Sequence, residues 1–407
     1  MKSLLAAAAL LLSGCVAGAS PPATIANVER RPPVTILVSI DGLRPDSLGR
    51  GDTPVLDVLA TAGAAGAMRP SFPANTFPNH YTLVTGLRPD RHGVVDNTME
   101  DPARPGVRFT IGDPKQNRDR FWWEGAEPIW VTAERAGIRA GTMFWPGTEA
   151  AIGGVRPSVW VPYVADIGSA ERVRFVLDWL RRPETERPRL LTLYFDQVDK
   201  AAHEQGYGSP EQTEATREID AQIGVLRDGL AALGQPANLV VVSDHGMAPV
   251  PPTHLIDPAD IADEAIMRTA QGGPILYAWP KPGAEAAVAA RVLRPRAHLR
   301  CWRRGELPAR FRFGRHPRVP PFLCMADLGW RFAVPGGRAY LKGEHGYDPA
   351  EPSMRAIFIA NGPAFRPGRR VAEFDNVSVA PLLRRLIGLP PAPGLDGTAA
   401  PFNKVLR

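Results

Sequence analysis

Short apolar runs recur along the chain without a polar–apolar alternation. The clearest runs are residues 33–40, 190–195, 238–243 and 355–360. Runs of this kind are typical of strands that are buried on both faces of a sheet. Stretches with apolar residues at helical spacing separate them, at 53–63, 129–136, 172–180 and 209–233. Strands that alternate with helices predict an α/β fold with a mostly parallel central sheet flanked by helices.

The pattern changes near residue 262 and resumes near residue 341. Residues 275–279 have the pattern of a strand and residues 284–293 that of a helix, and an Arg- and Pro-rich region follows as far as residue 334. We therefore expect residues 262–340 to form a smaller inserted subdomain. The core of the protein would then consist of residues 34–261 and 341–407.

The N-terminus has the features of an export signal. Lys2 precedes an apolar run at residues 4–12, which is too short for a permanent membrane span. The following Leu-Ser-Gly-Cys15 resembles a bacterial lipobox, which implies cleavage before Cys15 and attachment of lipid to it. We predict a lipoprotein-type signal peptide at 1–15, a tether at 16–33, and an exported protein of the bacterial periplasm or cell envelope. An ordinary signal peptide cut near Ala19 is the alternative.

Charge and cysteine content narrow the function classes. The formal net charge is +6, with 42 Arg and 6 Lys, but acidic residues are interspersed throughout and no basic block occurs. Nucleic-acid binders concentrate positive charge in a patch or arm, so we expect no nucleic-acid-binding patch. Beyond Cys15 the chain has Cys301 and Cys324, which after export could form a disulfide or remain two reduced thiols. Their spacing alone leaves both options open, and the oligomeric state is equally open.

A threonine lies between two prolines in the stretch at residues 72–80. Pro78 fits the first turn of a helix, so Thr76 should lie at or just before the helix start, and Gly86 should end the helix. The free N–H groups of a helix N-terminus bind phosphate well. On this evidence Thr76 is either a helix cap or a nucleophile.

Acidic residues follow three of the predicted strands. They are Asp41, then Asp196 with Asp199 and His203, then Asp244 with His245. A Gly-flanked loop adds His345. In open α/β sheets the ligand site lies at the carboxyl ends of the strands, so these residues should converge. Clustered carboxylates repel one another unless cations neutralise them, and Asp with His suits Zn²⁺.

Six segments together resemble the nucleotide pyrophosphatase/phosphodiesterases of the alkaline phosphatase superfamily. They are Val-Ser-Ile-Asp41-Gly, Phe-Pro-Ala-Asn-Thr76-Phe-Pro-Asn-His, Asp96-Asn97-Thr-Met, Tyr-Phe-Asp-Gln-Val-Asp199-Lys-Ala-Ala-His203, Ser-Asp244-His245-Gly-Met and Gly-Glu-His345-Gly-Tyr-Asp. The resemblance runs with gaps over about residues 34–363 and is weak at 262–334. It implies an alkaline-phosphatase-like core and two zinc ions.

The resemblance also implies a role for each residue. Asp199, His203 and His345 would hold one zinc, and Asp41, Thr76, Asp244 and His245 the other. Thr76 would be the nucleophile, and Asn97 with the backbone N–H of Thr76 would bind a phosphoryl oxygen. The nucleotide pocket would be formed by Phe77, Tyr163 and Tyr194. Asp196 and His80 receive no ligand role and are interpreted as structural.

The function that follows is hydrolysis of nucleotide phosphodiester or pyrophosphate bonds. Zinc would help Thr76 to ionise, as it does for bound water, and a covalent Thr76 intermediate would then release a nucleoside 5′-monophosphate. A sulfatase would have a Cys or Ser nucleophile in a Cys/Ser-x-Pro-x-Arg motif, and an alkaline phosphatase would have a Ser nucleophile. This chain instead has Thr76 followed by Phe77 and Pro78, which favours diester substrates. The alternatives are hydrolysis of lysophospholipid or choline-headgroup diesters, and a non-catalytic envelope binding lipoprotein.

Overall fold

The computed structural model describes residues 31–334 and 341–407. Its strands are β1 (Val34–Ile40), β2 (Ala64–Arg69), β3 (Thr98–Glu100), β4 (Arg108–Thr110), β5 (Ala140–Met143), β6 (Val159–Val161), β7 (Leu190–Phe195), β8 (Ala237–Val242), β9 (Ala248–Pro249), β10 (Leu255–Ile256), β11 (Met267–Gly272), β12 (Ile275–Pro280), β13 (Leu299–Arg303), β14 (Phe322–Ala326), β15 (Arg331–Phe332), β16 (Gly343–Glu344), β17 (Ala356–Asn361), β18 (Arg369–Arg370) and β19 (Phe374–Asp375). Its α-helices are α1 (Pro54–Ala62), α2 (Thr76–Thr85), α3 (Pro89–His92), α4 (Pro114–Arg118), α5 (Ile129–Arg135), α6 (Ser169–Leu180), α7 (Gln197–Gln205), α8 (Pro210–Ala232), α9 (Glu285–Val292) and α10 (Val379–Leu386).

A mixed central sheet forms the core. Its order is β18-β2-β17-β8-β1-β7-β5-β6, with β19 also paired to β2. The five strands β8, β1, β7, β5 and β6 run parallel to one another, and every residue of β1 and β7 is buried. The α/β fold is therefore confirmed, and the unbroken apolar runs have the physical cause expected: β1 and β7 are buried on both faces of the sheet.

One half of the sheet departs from the parallel pattern. Strand β17 runs antiparallel to both β8 and β2. Its apolar sequence predicted a buried strand but carried no information on direction. Strand β2 was not predicted, because its residues Ala64–Arg69 are mostly small and lack a β-branched run.

A second hydrophobic cluster lies within residues 256–332. It packs α9 against an antiparallel sheet of order β11-β12-β14-β13. Cys301 and Cys324 occupy directly opposite positions on β13 and β14 and form a disulfide. Of the two states left open by the sequence, the oxidised one is present. Residues 32–407 together form one compact unit, and the limits 262–340 for an inserted subdomain stay a prediction.

The predicted signal peptide at 1–15, and the predicted tether except for residues 31–33, lie outside the described residues. Within 31–334 and 341–407, no helix combines the length and the apolar character that a membrane span requires.

Candidate active site

The carboxyl ends of the parallel strands meet at one edge of the sheet, and the seven predicted metal-binding residues converge there. Asp41 directly follows β1, and Asp244 and His245 follow β8. Asp199 and His203 lie one turn apart on α7, which begins after β7. His345 follows β16, and Thr76 is the first residue of α2. Residues far apart in sequence are therefore brought to one place, as the strand-end rule requires.

The contacts within this cluster are close. His203 Nε2 lies 3.4 Å from Asp199 Oδ2, and His345 Nε2 lies 3.8 Å from Asp199 Oδ1. His245 Nε2 lies 3.5 Å from Asp41 Oδ1 and 3.0 Å from Asp244 Oδ2. The hydroxyl of Thr76 is 3.3 Å from the same nitrogen of His245.

All three histidines present the same ring nitrogen to the cluster. Nδ1 of His203, His245 and His345 lies 2.9 Å from the carbonyl oxygen of Gly343, Gly246 and Ala74, respectively. A carbonyl only accepts, so each Nδ1 must carry the proton and donate it. Each Nε2 is then an unprotonated electron-pair donor in the neutral ring. This arrangement is typical of histidines that bind a metal.

Among the described residues, three carboxylates of the predicted metal-binding set have a buried oxygen with no hydrogen-bond partner. These oxygens are Asp41 Oδ1, Asp199 Oδ1 and Asp244 Oδ2. Burial of an unpaired carboxylate oxygen is costly, so a set of three in contact with histidine nitrogens indicates a cation site. The donor set of carboxylate oxygens and imidazole nitrogens suits zinc.

The pKa values of the cluster residues are shifted by burial and by the neighbouring carboxylates and histidines. Burial, and the neighbouring carboxylates of Asp244 and Asp199, raise the pKa of Asp41 well above its usual value. Burial also acts to raise the pKa of Asp244, but His245 and His80 outweigh it and hold that pKa well below the usual value. Burial, with His245 and His203 beside it, lowers the pKa of His345 and keeps the ring neutral. Without cations, the adjacent carboxylates cannot all ionise easily.

The possible metal-binding groups overlap. Potential donor atoms lie within 4.8 Å of one another in the sets Asp199/His245/His345, His203/Glu344/His345 and Asp41/His80/Asp244. Because the first two sets share His345, the geometry does not by itself divide the residues between two metals. The division into two sites, like the role of each residue, stays a prediction.

The two neighbours that were interpreted as structural have other partners. His80 Nδ1 is 2.9 Å from the carbonyl oxygen of Thr76, and its Nε2 is 2.8 Å from the hydroxyl of Ser39. Asp196 accepts hydrogen bonds from Arg172 at 2.7 Å and from the hydroxyl of Tyr163 at 2.9 Å. His80 Nδ1 also lies 3.3 Å from Oδ2 of Asp244, so the structural interpretation of His80 and Asp196 stays a prediction.

Asn97 lies beside the start of α2. Its Oδ1 accepts a hydrogen bond of 2.8 Å from the backbone N–H of Phe77. This contact leaves the Asn97 amide nitrogen available near Thr76, where a phosphoryl oxygen would need donors. Asn75 is the residue before the helix, but its side chain does not cap the helix and instead donates to Asp96 at 2.7 Å. The sequence motif contained Asp96, but nothing local indicated this contact.

The three predicted pocket aromatics line one cavity of about 340 Å³. Phe77, Tyr163 and Tyr194 border it together with Asp41 and Thr76. The hydroxyl of Tyr194 donates to Asp41 Oδ2 at 2.7 Å, so this side chain also positions a predicted metal-binding residue. Trp145 and Glu149 border the cavity too and were missed. They follow β5, and the rule that sites form at the carboxyl ends of parallel strands could have found them.

Comparison with known proteins agrees with this architecture. The model of the family described as type I phosphodiesterase/nucleotide pyrophosphatase matches residues 35–348. The chain belongs to this family. Family membership places it within the alkaline phosphatase superfamily, among phosphodiesterase and pyrophosphatase enzymes.

Relatives within the family include eukaryotic proteins. An uncharacterized pyrophosphatase/phosphodiesterase of Schizosaccharomyces pombe is 35% identical over 387 residues, 89% of this chain and 78% of the relative. Ectonucleotide pyrophosphatase/phosphodiesterase family member 1 of Mus musculus is 35% identical over 397 residues, 93% of this chain. The chain spans only 43% of the length of that mouse protein.

Solved structures of the family superpose closely. Human ectonucleotide pyrophosphatase/phosphodiesterase 5 matches with a TM-score of 0.87 and 31% identity, over 92% of this chain and 100% of the solved chain. An inactive variant of the murine protein 5, solved in complex with AMP, matches with a TM-score of 0.87 and 30% identity over 92% and 100% of the two chains.

Proposed function

We propose that the protein is a two-zinc phosphodiesterase/pyrophosphatase that cleaves nucleotide diester or pyrophosphate bonds and releases nucleoside 5′-monophosphates. One observation carries the proposal: three Nε2 atoms and three unpaired buried carboxylate oxygens lie in one cluster with the hydroxyl of Thr76, which is 3.3 Å from Nε2 of His245 at the N-terminus of α2. Asp199, His203 and His345 would hold one zinc. Asp41, Thr76, Asp244 and His245 would hold the other. Bound zinc would supply positive charge that favours ionised oxygen at neutral pH.

The chain's own groups have distinct tasks in this chemistry. Thr76 is the nucleophile, and the phosphoryl group is transferred to its oxygen before water releases it. The backbone N–H of Thr76, at the positive end of the α2 dipole, and the amide nitrogen of Asn97 stabilise the charge on a non-bridging phosphoryl oxygen. Tyr194 holds Asp41 in position through its hydroxyl. Burial of the cluster excludes bulk water and strengthens each of these interactions.

The cavity lined by Phe77, Tyr163 and Tyr194 supports nucleotides as the substrates. Stacking on an aromatic face is worth about 1–3 kcal/mol per base and suits any base, and Phe77 and Tyr163 present aromatic surface beside Thr76. The AMP complex of the murine relative supports the same substrate class. A lysophospholipid or choline-headgroup diester would use the same chemistry, and it is one outcome of the test below.

The zinc-loaded protein should hydrolyse the p-nitrophenyl ester of thymidine 5′-monophosphate, and a chelator should abolish the activity until zinc is restored. Thr76→Ala should lose about 10³-fold or more of kcat with zinc still bound, whereas Thr76→Ser should keep measurable activity. No turnover by the zinc-loaded protein would refute the enzyme, and chelator-insensitive turnover would refute the metal assignment. Faster turnover of lysophosphatidylcholine than of nucleotide esters would refute the substrate class alone.

We also propose that the protein is exported and attached to the bacterial envelope through lipid on Cys15. The Cys301–Cys324 disulfide supports an oxidising compartment. Metabolic labelling with a radioactive fatty acid should label the wild-type protein, and Cys15→Ser should remove the label. Unlabelled protein released in soluble form from the periplasm would instead support the ordinary signal peptide.

A further inference from the structure

Tyr163 lies in an exposed loop, yet both its backbone and its side chain are held by carboxylates. The loop spans residues 162–168, between β6 at the edge of the central sheet and α6. Tyr163 is 47% exposed and borders the same cavity as Thr76. Its backbone N–H donates to Glu149 Oε1 at 3.1 Å, and its hydroxyl donates to Asp196 Oδ2 at 2.9 Å. A surface side chain fixed in this way has lost much of its rotational freedom before a ligand binds.

The carboxylate that accepts from Tyr163 is itself fixed by a buried arginine. Nη1 of Arg172, on α6, donates to Asp196 Oδ1 at 2.7 Å and to the carbonyl of Tyr194 at 3.0 Å. Its Nε donates to the carbonyl of Ile167 at 2.8 Å, near the other end of the 162–168 loop. Because a guanidinium is planar and always charged, these bonds fix the direction of the Asp196 carboxylate.

An aromatic ring supports the same arrangement. The ring centre of Phe144 lies 5.1 Å from that of Tyr163, with an angle of 60° between the rings, and the guanidinium of Arg172 lies 4.8 Å from the Phe144 ring centre. Phe144 has a φ of 56°, which a bulky residue adopts only where the surrounding structure enforces it. The orientation of the Tyr163 ring is therefore set by its hydroxyl bond and by this edge contact together.

Asp196 and Arg172 form an ion pair without net charge. Neither is among the described residues that border the cavity, so a substrate there is held by other groups. An unpaired carboxylate at this position would repel an anionic substrate, whereas the neutral pair does not. Burial and the Asp196 carboxylate raise the pKa of Tyr163 to about 12, so the hydroxyl stays a donor at neutral pH. The pair can therefore hold the tyrosine without opposing the binding of a nucleotide.

We propose that Asp196 and Arg172 are positioning residues for nucleoside binding, because they hold the Tyr163 ring in the orientation that stacks on the base. The inference rests on the proposed function and adds the residues behind the cavity that determine its preference for nucleoside esters. A ring that is already ordered spares the substrate the entropy cost of ordering it. A pair that only stabilised the fold would instead affect all diester substrates alike.

Two esters with the same leaving group test this proposal. They are the p-nitrophenyl ester of thymidine 5′-monophosphate and methyl p-nitrophenyl phosphate, which has a methyl group in place of the nucleoside. The ratio of their kcat/KM values measures nucleoside binding, because the chemistry is shared. Tyr163→Ala should lower this ratio about tenfold, the size expected from loss of one stacking contact. Tyr163→Phe keeps the ring and loses the hydroxyl bond, and it should lower the ratio about fivefold, because the substrate must then order the side chain.

A double-mutant cycle tests whether Asp196 acts through the Tyr163 hydroxyl. Asp196→Ala should lower the ratio about as much as Tyr163→Phe does, and adding it to Tyr163→Phe should cost little more. Asp196→Ala also leaves the buried Arg172 without its carboxylate, which lowers stability. The double replacement of Asp196→Ala with Arg172→Met removes both charges together, so it should show the same lowered ratio in a more stable protein.

Tyr207→Phe is the matched control. The Tyr207 hydroxyl donates to Asp46 at 2.9 Å, and the guanidinium of Arg44 lies 4.2 Å from the centre of its ring. This tyrosine is not among the described residues that border the cavity, so its variant should leave the ratio unchanged. In calorimetric titrations of the zinc-loaded Thr76→Ala protein, adding Tyr163→Phe should weaken AMP binding about fivefold and leave the binding of inorganic phosphate unchanged.

The possible outcomes separate this inference from the proposed function. If Tyr163→Phe leaves both the ratio and the AMP affinity at their starting values, the inference is overturned and the proposed function stands. Equal losses on both esters in the Asp196 variants, with an unchanged ratio, would also overturn it and leave the pair a purely structural role. Failure of the wild-type protein to hydrolyse either ester would refute the proposed function, and the inference with it.

Discussion

The hydroxyl of Tyr277 donates a hydrogen bond to Oδ2 of Asp96. Tyr277 lies on β12, in the sheet of residues 267–326, whereas Asp96 belongs to the loop before β3. The other oxygen of Asp96 accepts from the Asn75 side chain at 2.7 Å and from the backbone N–H of Asn97 at 2.6 Å. Asn75 and Asn97 flank Thr76. The buried carboxyl group of Asp96 therefore connects the β11-β12-β14-β13 sheet to the proposed phosphoryl site.

Asp96 should therefore act as a positioning residue for Asn97. Asp96→Ala removes the acceptor that holds the Asn97 backbone and should lower kcat by about 10²-fold with little change in KM, close to the loss of one oxyanion donor. Asp96→Asn keeps the acceptor for both asparagines and can donate to the Tyr277 oxygen, so it should retain most of the activity. Measured zinc content and thermal midpoint should stay near the wild-type values in Asp96→Asn.

A double-mutant cycle with Asn97→Ala tests whether Asp96 acts through Asn97. If Asp96 works through Asn97, adding Asp96→Ala to Asn97→Ala should cost little more than Asn97→Ala alone. Fully additive losses in kcat would show that Asp96 acts on something else. Tyr277→Phe should lower kcat less than Asp96→Ala does, because it removes only one of the three hydrogen bonds to Asp96.

Removal of zinc should destabilise the folded protein. The three carboxylates around His245 repel one another when no cation is bound, and a ligand present at 100 times its Kd adds about 2.7 kcal/mol to the free energy of unfolding. Treatment with a chelator should lower the thermal midpoint, and added zinc should restore it. His203→Ala should reduce the bound zinc from two ions per chain to about one, whereas His254→Ala, outside the cluster, should keep both. An unchanged midpoint after complete removal of zinc would contradict the assignment.

His92 should make stability depend on pH. Burial lowers the pKa of this imidazole to about 3, and its Nδ1 accepts the backbone N–H of Val94 at 3.1 Å. The unfolded chain binds a proton at this group below a pKa of about 6.5, whereas the folded protein does not bind one until about pH 3. Its contribution to stability is therefore complete above pH 6.5 and is lost progressively as the pH falls toward 3.

The corresponding variant is His92→Asn, which keeps an acceptor for Val94 and has no titrating group. Between pH 7 and pH 5, the wild-type protein should lose about 2 kcal/mol more unfolding free energy than this variant. Urea denaturation of chelator-treated protein at both pH values measures the difference without interference from zinc binding. Equal pH dependence in the two proteins would mean that His92 binds its proton equally well in the folded and unfolded states, which would contradict the lowered pKa.

The disulfide should stabilise the β11-β12-β14-β13 sheet without affecting catalysis. Cys301 and Cys324 are separated by 23 positions, and closing a loop of this size is worth about 3 kcal/mol in the chain-entropy description. The double variant Cys301→Ser, Cys324→Ser should lower the urea midpoint accordingly and keep kcat on the nitrophenyl ester. Reduction of the wild-type protein should reproduce the loss, and reduction of the double variant should have no effect. A double variant as stable as the oxidised wild-type protein would contradict the expectation.

The local pattern of the sequence determined the central strands and the residues that follow them. The runs that became β1, β7 and β8 are apolar throughout because both faces of these strands are covered. Since parallel strands end at one edge, the positions of Asp41, Asp199 and Asp244 implied a shared site before any coordinates. The start of α2 at Thr76 and its end at Gly86, which has φ of 71°, also follow from local chemistry.

Only the tertiary structure decided the contacts that join distant segments. The antiparallel direction of β17, the oxidised state of Cys301 and Cys324, and the burial of Asp96 between Tyr277 and Asn75 depend on packing. The cavity of about 200 Å³ that forms where β3 meets the β11–β12 hairpin also depends on packing. Side-chain periodicity encodes which face of an element is buried, but it carries no record of which partner covers that face. The sequence of this protein therefore determined its chemical groups and the sheet edge where they meet, and the packing of distant segments determined their partners.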